Sequence, residues 1–218
     1  MSLEQVYHAF VTGLKDTTFL EFLGTTTGIA CVWLGKKENI LNYPVGIVST
    51  VIYIYLSCTG HLLGEASVNV FYTVMNVYGW VLWAKKGIDT LEITASGGKD
   101  WMRSLTFFGI CWIVLYIALL FAKRYFAPGA IPLADSFSAA AAYTGMWLLT
   151  KKKIENWIWW IITDIASIPL YFVKGYVFTS FQFVVYLILA ILGWIEWRQR
   201  HSEHLKRIYA QEDSGHRA

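Results

Sequence analysis

The stretch from residue 157 to 171 carries the side chains with the clearest chemical potential. An acidic residue, Asp164, stands there among aromatic and hydroxyl side chains in an otherwise apolar run. The set follows i, i+3, i+7, i+10 and i+14 spacing: Trp157, Trp160, Asp164, Ser167 and Tyr171. This spacing places all five on one face of a helix. Aromatic rings beside a carboxylate suit a flat, cationic heterocycle, because stacking, cation–π attraction and a charge-assisted hydrogen bond can act together.

Two other apolar stretches carry further candidate binding residues. In the first, i, i+4, i+8 spacing predicts one helical face for Tyr72, Asn76 and Trp80. In the second, Gln182 and Tyr186 are one helical turn apart. Because amides flanked by aromatic rings are suited to contact a polar ligand, we expect these side chains to line the same site as Asp164.

Each of these residues also has a plainer interpretation. Trp157 could anchor a helix at the membrane interface, where Trp is enriched. Asn76 and Gln182 could form ordinary hydrogen bonds between helices. Asp164 lies about two turns inside an apolar run with no Lys or Arg in any such run to pair with, so it could be protonated, hydrogen-bonded across helices, or part of a proton relay.

The composition of the whole chain predicts an all-α integral membrane protein. Hydrophobic residues make up 56% of the 218 residues, mean hydropathy is +0.45, and only 15% of residues are charged. A soluble domain of this size cannot bury so much apolar surface. We expect no cleavable signal peptide, because the N-terminal segment lacks a basic stretch followed by a short apolar one.

Long apolar runs separated by charge clusters predict seven membrane-spanning helices. Their approximate bounds are 18–35, 42–57, 67–84, 105–122, 134–150, 157–173 and 178–197, followed by a helical tail over 198–218. With seven spans, 4 of the 18 lysines and arginines fall on the side of the N-terminus and 14 on the other side. The positive-inside rule then places the N-terminus outside and the C-terminus in the cytoplasm.

The chain also resembles itself at a fixed interval. A shift of 114 positions aligns the second and third spans with the sixth and seventh without a gap. Asn42 then falls on Asn156, and residues 78–83 fall on 192–197, where both segments contain Gly-Trp-x-x-Trp. Internal similarity of this kind indicates a duplicated structural unit.

We therefore expect a single membrane domain over 1–218 that contains two three-helix repeats, at about 18–84 and 134–197. An odd number of spans reverses the direction of the chain, and the extra span at about 105–122 restores it. The two repeats then run parallel, in a 3+1+3 arrangement around a linker helix. Parallel repeats are a plan of small-solute transporters, with the substrate site between the repeats near the midplane.

Several other function classes lack support in the sequence. There is no G-x-x-x-x-G-K-[ST] loop for an ATP-driven motor, no nucleophile–base pair, and no metal-ligand spacing. We expect a transporter rather than an enzyme, with a small-molecule substrate, a surrounding lipid bilayer, no cofactor and no nucleic-acid partner. A membrane sensor that binds a ligand without moving it is the alternative from another class.

Three stretches resemble the PnuC vitamin-transporter family, and the likeness covers roughly residues 18–200. The stretches are residues 76–83 (Asn-Val-Tyr-Gly-Trp-Val-Leu-Trp), Asp135-Ser136, and residues 153–167, which contain Glu-Asn-Trp and Asp164. The resemblance implies uptake of nicotinamide riboside across a bacterial inner membrane by facilitated diffusion, with a cytoplasmic kinase that traps the substrate. It also implies a SWEET-like 3+1+3 fold and a homotrimer.

In that family a Trp, and an Asn seven residues later on the sixth span, help to hold the substrate. These positions fall on Trp157 and Asp164, so the Trp is kept and an Asp replaces the Asn. The added carboxylate suits nicotinamide riboside or thiamine, both cationic, more than neutral riboflavin. A thiamine transporter of the same mechanism and a proton-coupled vitamin symporter therefore stay open as alternatives.

Overall fold

The computed structural model of the chain describes residues 3–59, 63–86, 91–125 and 129–215, and every long element among them is a helix. The helices are α1 (Leu3–Asp16), α2 (Phe19–Lys36), α3 (Asn42–Thr59), α4 (Leu63–Lys86), α5 (Gly98–Tyr125), α6 (Pro132–Thr150), α7 (Asn156–Val173) and α8 (Val177–Gly215). Helices α2 to α8 overlap the seven predicted spans, whereas α1 is an additional helix ahead of them. The predicted tail is a direct continuation of α8.

Two of the described helices are long and apolar enough to cross a membrane on length and hydropathy alone. They are α5, with 28 residues, and the 35-residue stretch Val177–Gln211 of α8. No residue in the most apolar window of α5 is fully buried: one side of the helix packs on α6, through residues such as Phe108, and the rest of its apolar surface faces outward. The other helices carry more polar residues on the faces that pack against protein, and such faces need not be apolar.

Local signals set where the first helices of each half begin. Thr18 caps α2: its side chain accepts a bond from the Glu21 N–H, and the Glu21 carboxylate accepts one from the Thr18 N–H at 2.7 Å. Helix α6 starts at Pro132, whose fixed φ suits a first helical position. Asp135, in its first turn, accepts a bond from the Ile131 N–H at 2.7 Å, where the helix dipole favours a negative charge.

The helices pack as two groups of three. We call α2–α4 the first bundle and α6–α8 the second bundle; helix α5 packs on α6, and α1 packs on α8. The bundles meet where α2 contacts α8 and where α4 contacts α6. The first helix of each bundle thus contacts the third helix of the other. The 114-residue shift also carries the bounds of α3 onto those of α7.

The buried core between the bundles uses the same ring contacts twice. Tyr43 meets Trp83 edge to face, with ring centroids 5.0 Å apart and planes at 89°. Trp157 meets Trp197 in the same way, at 5.6 Å and 88°. These four residues, here called the ring cluster, are fully or almost fully buried. They lie where α2 and α6 end and the tail of α8 begins, which we call the tail end of the molecule.

The indole groups of the ring cluster also tie the bundles together. Trp83 donates from Nε1 to the carbonyl of Thr150 in the second bundle, at 3.1 Å. Trp197 donates from Nε1 to the carbonyl of Lys36 in the first bundle, also at 3.1 Å. Positions 36 and 150, like 83 and 197, differ by 114. The two bonds are therefore equivalent, and each bundle receives one from the other.

Candidate functional site

Asp164 lies in the middle of α7, and its side chain faces the interior. It is 3% exposed. No hydrogen bond or ion pair joins its carboxyl group to any of the described residues, although the phenols of Tyr72 and Tyr186 lie within electrostatic range. A buried carboxyl without a partner is costly, since burial of a charge needs pairing or hydrogen bonds. This carboxyl is therefore the leading candidate for contact with a ligand.

Aromatic side chains from three helices lie around this position. Tyr72 of α4 has its ring centroid 6.3 Å from that of Trp160 on α7. It lies 6.1 Å from that of Tyr143 on α6, which in turn stacks on Phe71 at 3.8 Å. The rings of Tyr72 and Trp160 thus belong to opposite bundles. Together they form an aromatic wall across the boundary between the bundles.

A hydrogen-bonded pair on α8 also lies near Asp164, because the Tyr186 phenol is within electrostatic range of its carboxyl group. Gln182 donates from Nε2 to the Tyr186 hydroxyl at 2.9 Å. That hydroxyl lies against Gly28 of α2, where an added Cβ would stand only 2.6 Å from it. Ser49 of α3 also borders Gly28, and its hydroxyl donates to the Gly24 carbonyl at 2.8 Å. Gly28 is therefore required for the close approach of Tyr186.

Asn76 of α4 is another buried polar side chain with unused bonding capacity, and it lies one helical turn after Tyr72. It is 3% exposed, and its Oδ1 has no partner among the described residues. The amide packs on Gly46 of α3, where an added Cβ would be 2.9 Å from Oδ1 and equally close to the Cys31 sulfur. Neither Cys31 nor Gly46 was among the predicted site residues, since neither carries a side chain typical of a ligand contact.

The structure separates Trp80 from the other predicted residues. Its side chain is 42% exposed, on the outside of α4. The inward face of α4 runs through Tyr72, Asn76, Gly79 and Trp83, of which the last three are buried. A helix turns about 100° per residue, so a residue eight positions after Tyr72 lies about 80° round from it. The predicted helical face therefore included a residue too far from its centre, and Gly79 faces inward in place of Trp80.

The five residues on the predicted face of α7 contact different parts of the molecule. Trp157 lies seven residues, or about 10 Å, from Asp164 along the helix, and it belongs to the ring cluster. Ser167 shares a 2.6 Å hydrogen bond with Ser138 of α6. Tyr171 stacks on Phe183 of α8 at 5.1 Å. Of the five residues on this face, Trp160 and Asp164 thus lie with Tyr72.

The assembled residues form an asymmetric polar site between the bundles. The contacts above bring together Tyr72, Trp160, Asp164, Gln182 and Tyr186, and Asn76 lies one turn after Tyr72 on the inward face of α4. They offer aromatic faces, one carboxylate and two amides. Such a set can bind a flat cation that also carries hydrogen-bonding groups.

Comparison with known proteins gives a consistent family. Residues 18–199 match the nicotinamide mononucleotide transporter family. The chain is similar to the nicotinamide riboside transporter PnuC of Escherichia coli, at 24% identity with 88% of this chain and 92% of that protein aligned. It is also similar to the riboflavin/roseoflavin transporter RibM of Streptomyces davaonensis, at 26% identity over 87% of this chain and 89% of that protein.

A solved structure shows the same fold. The crystal structure of the vitamin B3 transporter PnuC superposes with a TM-score of 0.70 at 22% identity, over 93% of this chain and 90% of that chain. The family match covers most of the sequence. The chain therefore belongs to the nicotinamide mononucleotide transporter family of membrane proteins.

Proposed function

We propose that this protein carries nicotinamide riboside across a bacterial inner membrane, and that Asp164 recognises the positive charge of the nicotinamide ring. The observation that carries the proposal is the buried Asp164 carboxyl, which has no described partner and lies beside aromatic rings between the two bundles. The relative from Escherichia coli, named as a nicotinamide riboside transporter, supports the choice of substrate.

A cationic substrate would offset the cost of burying the ionised form of the Asp164 carboxyl. Moving an ion out of water without a partner costs several kcal/mol even after relaxation. A ligand with a fixed positive charge offsets this cost, whereas a neutral ligand of the same size does not. A pyridinium ring fits this requirement, and the neutral isoalloxazine of riboflavin does not.

The remaining residues suit the rest of a riboside. The rings of Tyr72 and Trp160 would pack on the flat nicotinamide ring. The free Oδ1 of Asn76 is an acceptor for a carboxamide or ribose donor. The Gln182–Tyr186 pair offers an amide and a phenol to the sugar hydroxyls. The side chains thus match a ligand with one cationic end and one polyhydroxyl end.

For the architecture, we propose seven spans, α2 to α8, in a 3+1+3 arrangement with α5 as the linker. The reciprocal contacts between α2 and α8 and between α4 and α6 support this arrangement. The 14-to-4 division of basic residues supports a cytoplasmic C-terminus and an N-terminus outside. Helix α1 would then lie outside, ahead of the first span, and the tail end would face the cytoplasm.

For the mechanism, we propose facilitated diffusion followed by phosphorylation of the riboside inside the cell. The sequence offers no ATP-binding loop that could drive uphill movement. Phosphorylation adds negative charge, so the product would no longer match a site built around a carboxylate. Following the resemblance, we also propose a homotrimer, in which the outward apolar face of α5 meets lipid or a neighbouring copy.

Uptake of labelled riboside tests this function. In cells without a transporter of their own, we expect this protein to allow accumulation only when a riboside kinase is present. Accumulation should persist when an uncoupler collapses the proton gradient. No accumulation in the presence of the kinase would contradict the function, and loss with the uncoupler would favour a proton-coupled symporter that uses Asp164.

Thiamine is the second candidate, because it is also a flat cation and Asp164 suits it equally. A tenfold excess of unlabelled thiamine separates the two substrates. We expect it to leave riboside uptake unchanged. If thiamine abolishes uptake and its own labelled form accumulates, the protein is a thiamine transporter.

A further inference from the structure

A pair of opposite charges lies where the two bundles meet at the tail end. Glu38 follows α2 and Lys152 follows α6, and the two positions differ by 114. The Lys152 Nζ lies 2.5 Å from the Glu38 Oε1. We treat the bundles as related by an approximate twofold, because the 114-residue shift carries α3 onto α7 and the Tyr43–Trp83 contact onto Trp157–Trp197. Two equivalent residues related in this way can touch each other only at or beside the axis. The ion pair therefore lies on the axis between the bundles.

The backbone at both positions has an uncommon conformation. Glu38 has φ of 60° and Lys152 has φ of 51°, in the left-handed region. Both residues lie just past a helix end, where the left-handed conformation closes the helix: the Glu38 N–H donates to the Gly35 carbonyl and the Lys152 N–H to the Leu149 carbonyl. The same conformation at two equivalent positions aims the two side chains at each other across the axis.

The pair is enclosed rather than exposed. Lys152 is 0% exposed, and its Nζ lies 4.6 Å from the centroid of the Trp83 ring, in the ring cluster. Arg200 of α8 adds a second cation, 3.3 Å from the other oxygen of Glu38. Arg200 also contacts Glu196 at 2.8 Å. Glu38 of the first bundle is thus held by two cations of the second.

The polar links between the bundles concentrate at this end. Six hydrogen bonds and ion pairs between described residues join the bundles here: Trp83–Thr150, Trp197–Lys36, Lys36–Glu196, Lys37–Glu196, Arg200–Glu38 and Lys152–Glu38. Beside Asp164 the bundles meet through aromatic rings instead, such as Phe71 and Tyr143. A solute that leaves the site along the axis toward the tail must pass the Glu38–Lys152 pair.

From these contacts we infer that Glu38 and Lys152 form the gate that closes the site toward the cytoplasm. The inference rests on the transport function and orientation proposed above. The pair must separate for the substrate to leave, and water that enters as it opens can hydrate both charges. Arg200 remains paired with Glu38 during that step, so the Glu38 carboxylate is not left buried without a partner.

A reversible lock tests the gate directly. The full-length protein is prepared with Cys31, Cys58 and Cys111 replaced by serine and with Glu38→Cys and Lys152→Cys introduced, and is then reconstituted in liposomes. We expect riboside uptake to fall to background when the two cysteines are oxidised to a disulfide and to return on reduction. Uptake that continues at the unlocked rate after complete oxidation would overturn the gate.

A matched lock controls for the chemistry. Asp100 and Lys153 form an ion pair at 2.9 Å at the same end, but they join α5 to the second bundle instead of joining the bundles. The Asp100→Cys and Lys153→Cys variant should transport equally well before and after oxidation. If this lock blocks uptake as completely as the first, oxidation acts on the protein in general, and the gate is not supported.

A second measurement requires neither a disulfide nor a known substrate. Cys31 lies against Gly46 beside Asn76, so its thiol reports access to the site. In inside-out vesicles with Cys58 and Cys111 replaced by serine, a small cationic thiosulfonate should label Cys31 several-fold faster in Glu38→Gln than in the parent. Asp100→Asn should label at the parent rate.

Equal labelling of Cys31 in Glu38→Gln and the parent would contradict the gate, even if another vitamin proves to be the substrate. Faster labelling together with a failure of riboside uptake by the unmodified protein would instead support the gate and contradict the proposed function. The two proposals can therefore fail separately.

Discussion

The two bundles are alike at the tail end and different around Asp164. At the tail end, Asn42 and Asn156 each donate a side-chain bond of 2.7 Å to the carbonyl three residues earlier. Trp83 and Trp197 each donate a bond of 3.1 Å to the opposite bundle. Equivalent residues there make equivalent contacts, so this end follows the twofold relation closely.

Around Asp164 the equivalent positions carry different chemistry. The pairs, with the first bundle named first, are Gly46 and Trp160, Thr50 and Asp164, and Asn76 and Ala190. One bundle thus supplies space and an amide, and the other supplies a ring and a carboxylate. A ligand without twofold symmetry requires an asymmetric site. The contacts that hold the bundles together do not touch the ligand and can therefore be symmetric.

Removing the charge of Asp164 is the most direct way to break this asymmetry. We expect Asp164→Asn to weaken riboside binding about 10- to 100-fold, because a hydrogen bond to a charged group contributes about 1.5–3 kcal/mol. Titration calorimetry on the purified protein measures it. Thr50→Ser, at the equivalent position of the first bundle, should bind as the parent does. Unchanged affinity in Asp164→Asn would remove this residue from the site.

The symmetric end can be tested with a pair of matched substitutions. A Cβ added at Gly79 would stand 2.3 Å from the Tyr43 ring. A Cβ added at the equivalent Gly193 would stand 2.7 Å from the Trp157 ring. Overpacking of this kind lowers the free energy of unfolding by about 1–3 kcal/mol. For a chain of this length, each kcal/mol lowers the melting temperature by about 2–4 °C. We expect Gly79→Ala and Gly193→Ala to lower the apparent melting temperature in detergent by similar amounts.

Gly109→Ala is the control for that experiment, because a Cβ there meets nothing within 4 Å. Its melting temperature should equal that of the parent or slightly exceed it, since Ala favours the helix. A loss of stability in only one of Gly79→Ala and Gly193→Ala would show that the two ring contacts are not equivalent.

A smaller effect on riboside binding is expected from a substitution at Gly46, the glycine that makes room for the Asn76 amide. Gly46→Ala would place a Cβ 2.9 Å from the Asn76 Oδ1, so the amide must move. We expect about fivefold weaker riboside binding, because one neutral hydrogen bond contributes about 1 kcal/mol. Gly109→Ala again serves as the control. Parental affinity in Gly46→Ala would indicate that Asn76 does not contact the ligand.

The smallest effect is expected on the melting temperature, from loss of the Asp100–Lys153 ion pair, which has no equivalent in the first bundle. The hydrogen bond and charge of Lys153 lower the pKa of Asp100, while the equivalent of Lys153 in the first bundle is Asn39. A lowered pKa stabilises the fold above the ordinary value of about 4, and the benefit is lost as pH falls through the folded-state value. Melting temperatures should therefore differ between the parent and Asp100→Asn at pH 7 and converge in acid. A constant difference would contradict this assignment.

Much of the helical arrangement could be predicted, because its signals are local or periodic. Charge clusters and apolar runs marked the positions of α2 to α8, although α5 begins seven residues before its predicted span and α8 extends well beyond residue 197. The resemblance to the PnuC family is confirmed by the family match. The 114-residue shift also carries α3 onto α7. Helix α1 was not predicted, because its 14 residues are too few for an apolar membrane span.

The candidate site was harder to predict, because helical spacing fixes a face but not its neighbours. The burial of Asp164 followed from its position in an apolar run. Trp80 was predicted to face inward from its i+8 spacing to Tyr72, whereas the neighbouring Gly79 is the buried residue. Gly28 and Gly46 have no side chain to suggest a role, and their contribution is visible only through the atoms that approach them.

The central claim is that a buried carboxylate in an otherwise uncharged site selects a cation. Nicotinamide riboside and its reduced dihydro form test it, because they have nearly the same shape and only the first is charged. We predict that the protein binds the cationic form at least about tenfold more tightly, a difference of about 1.4 kcal/mol, and that Asp164→Asn removes this preference. Equal affinity of the parent protein for the two forms would contradict the account.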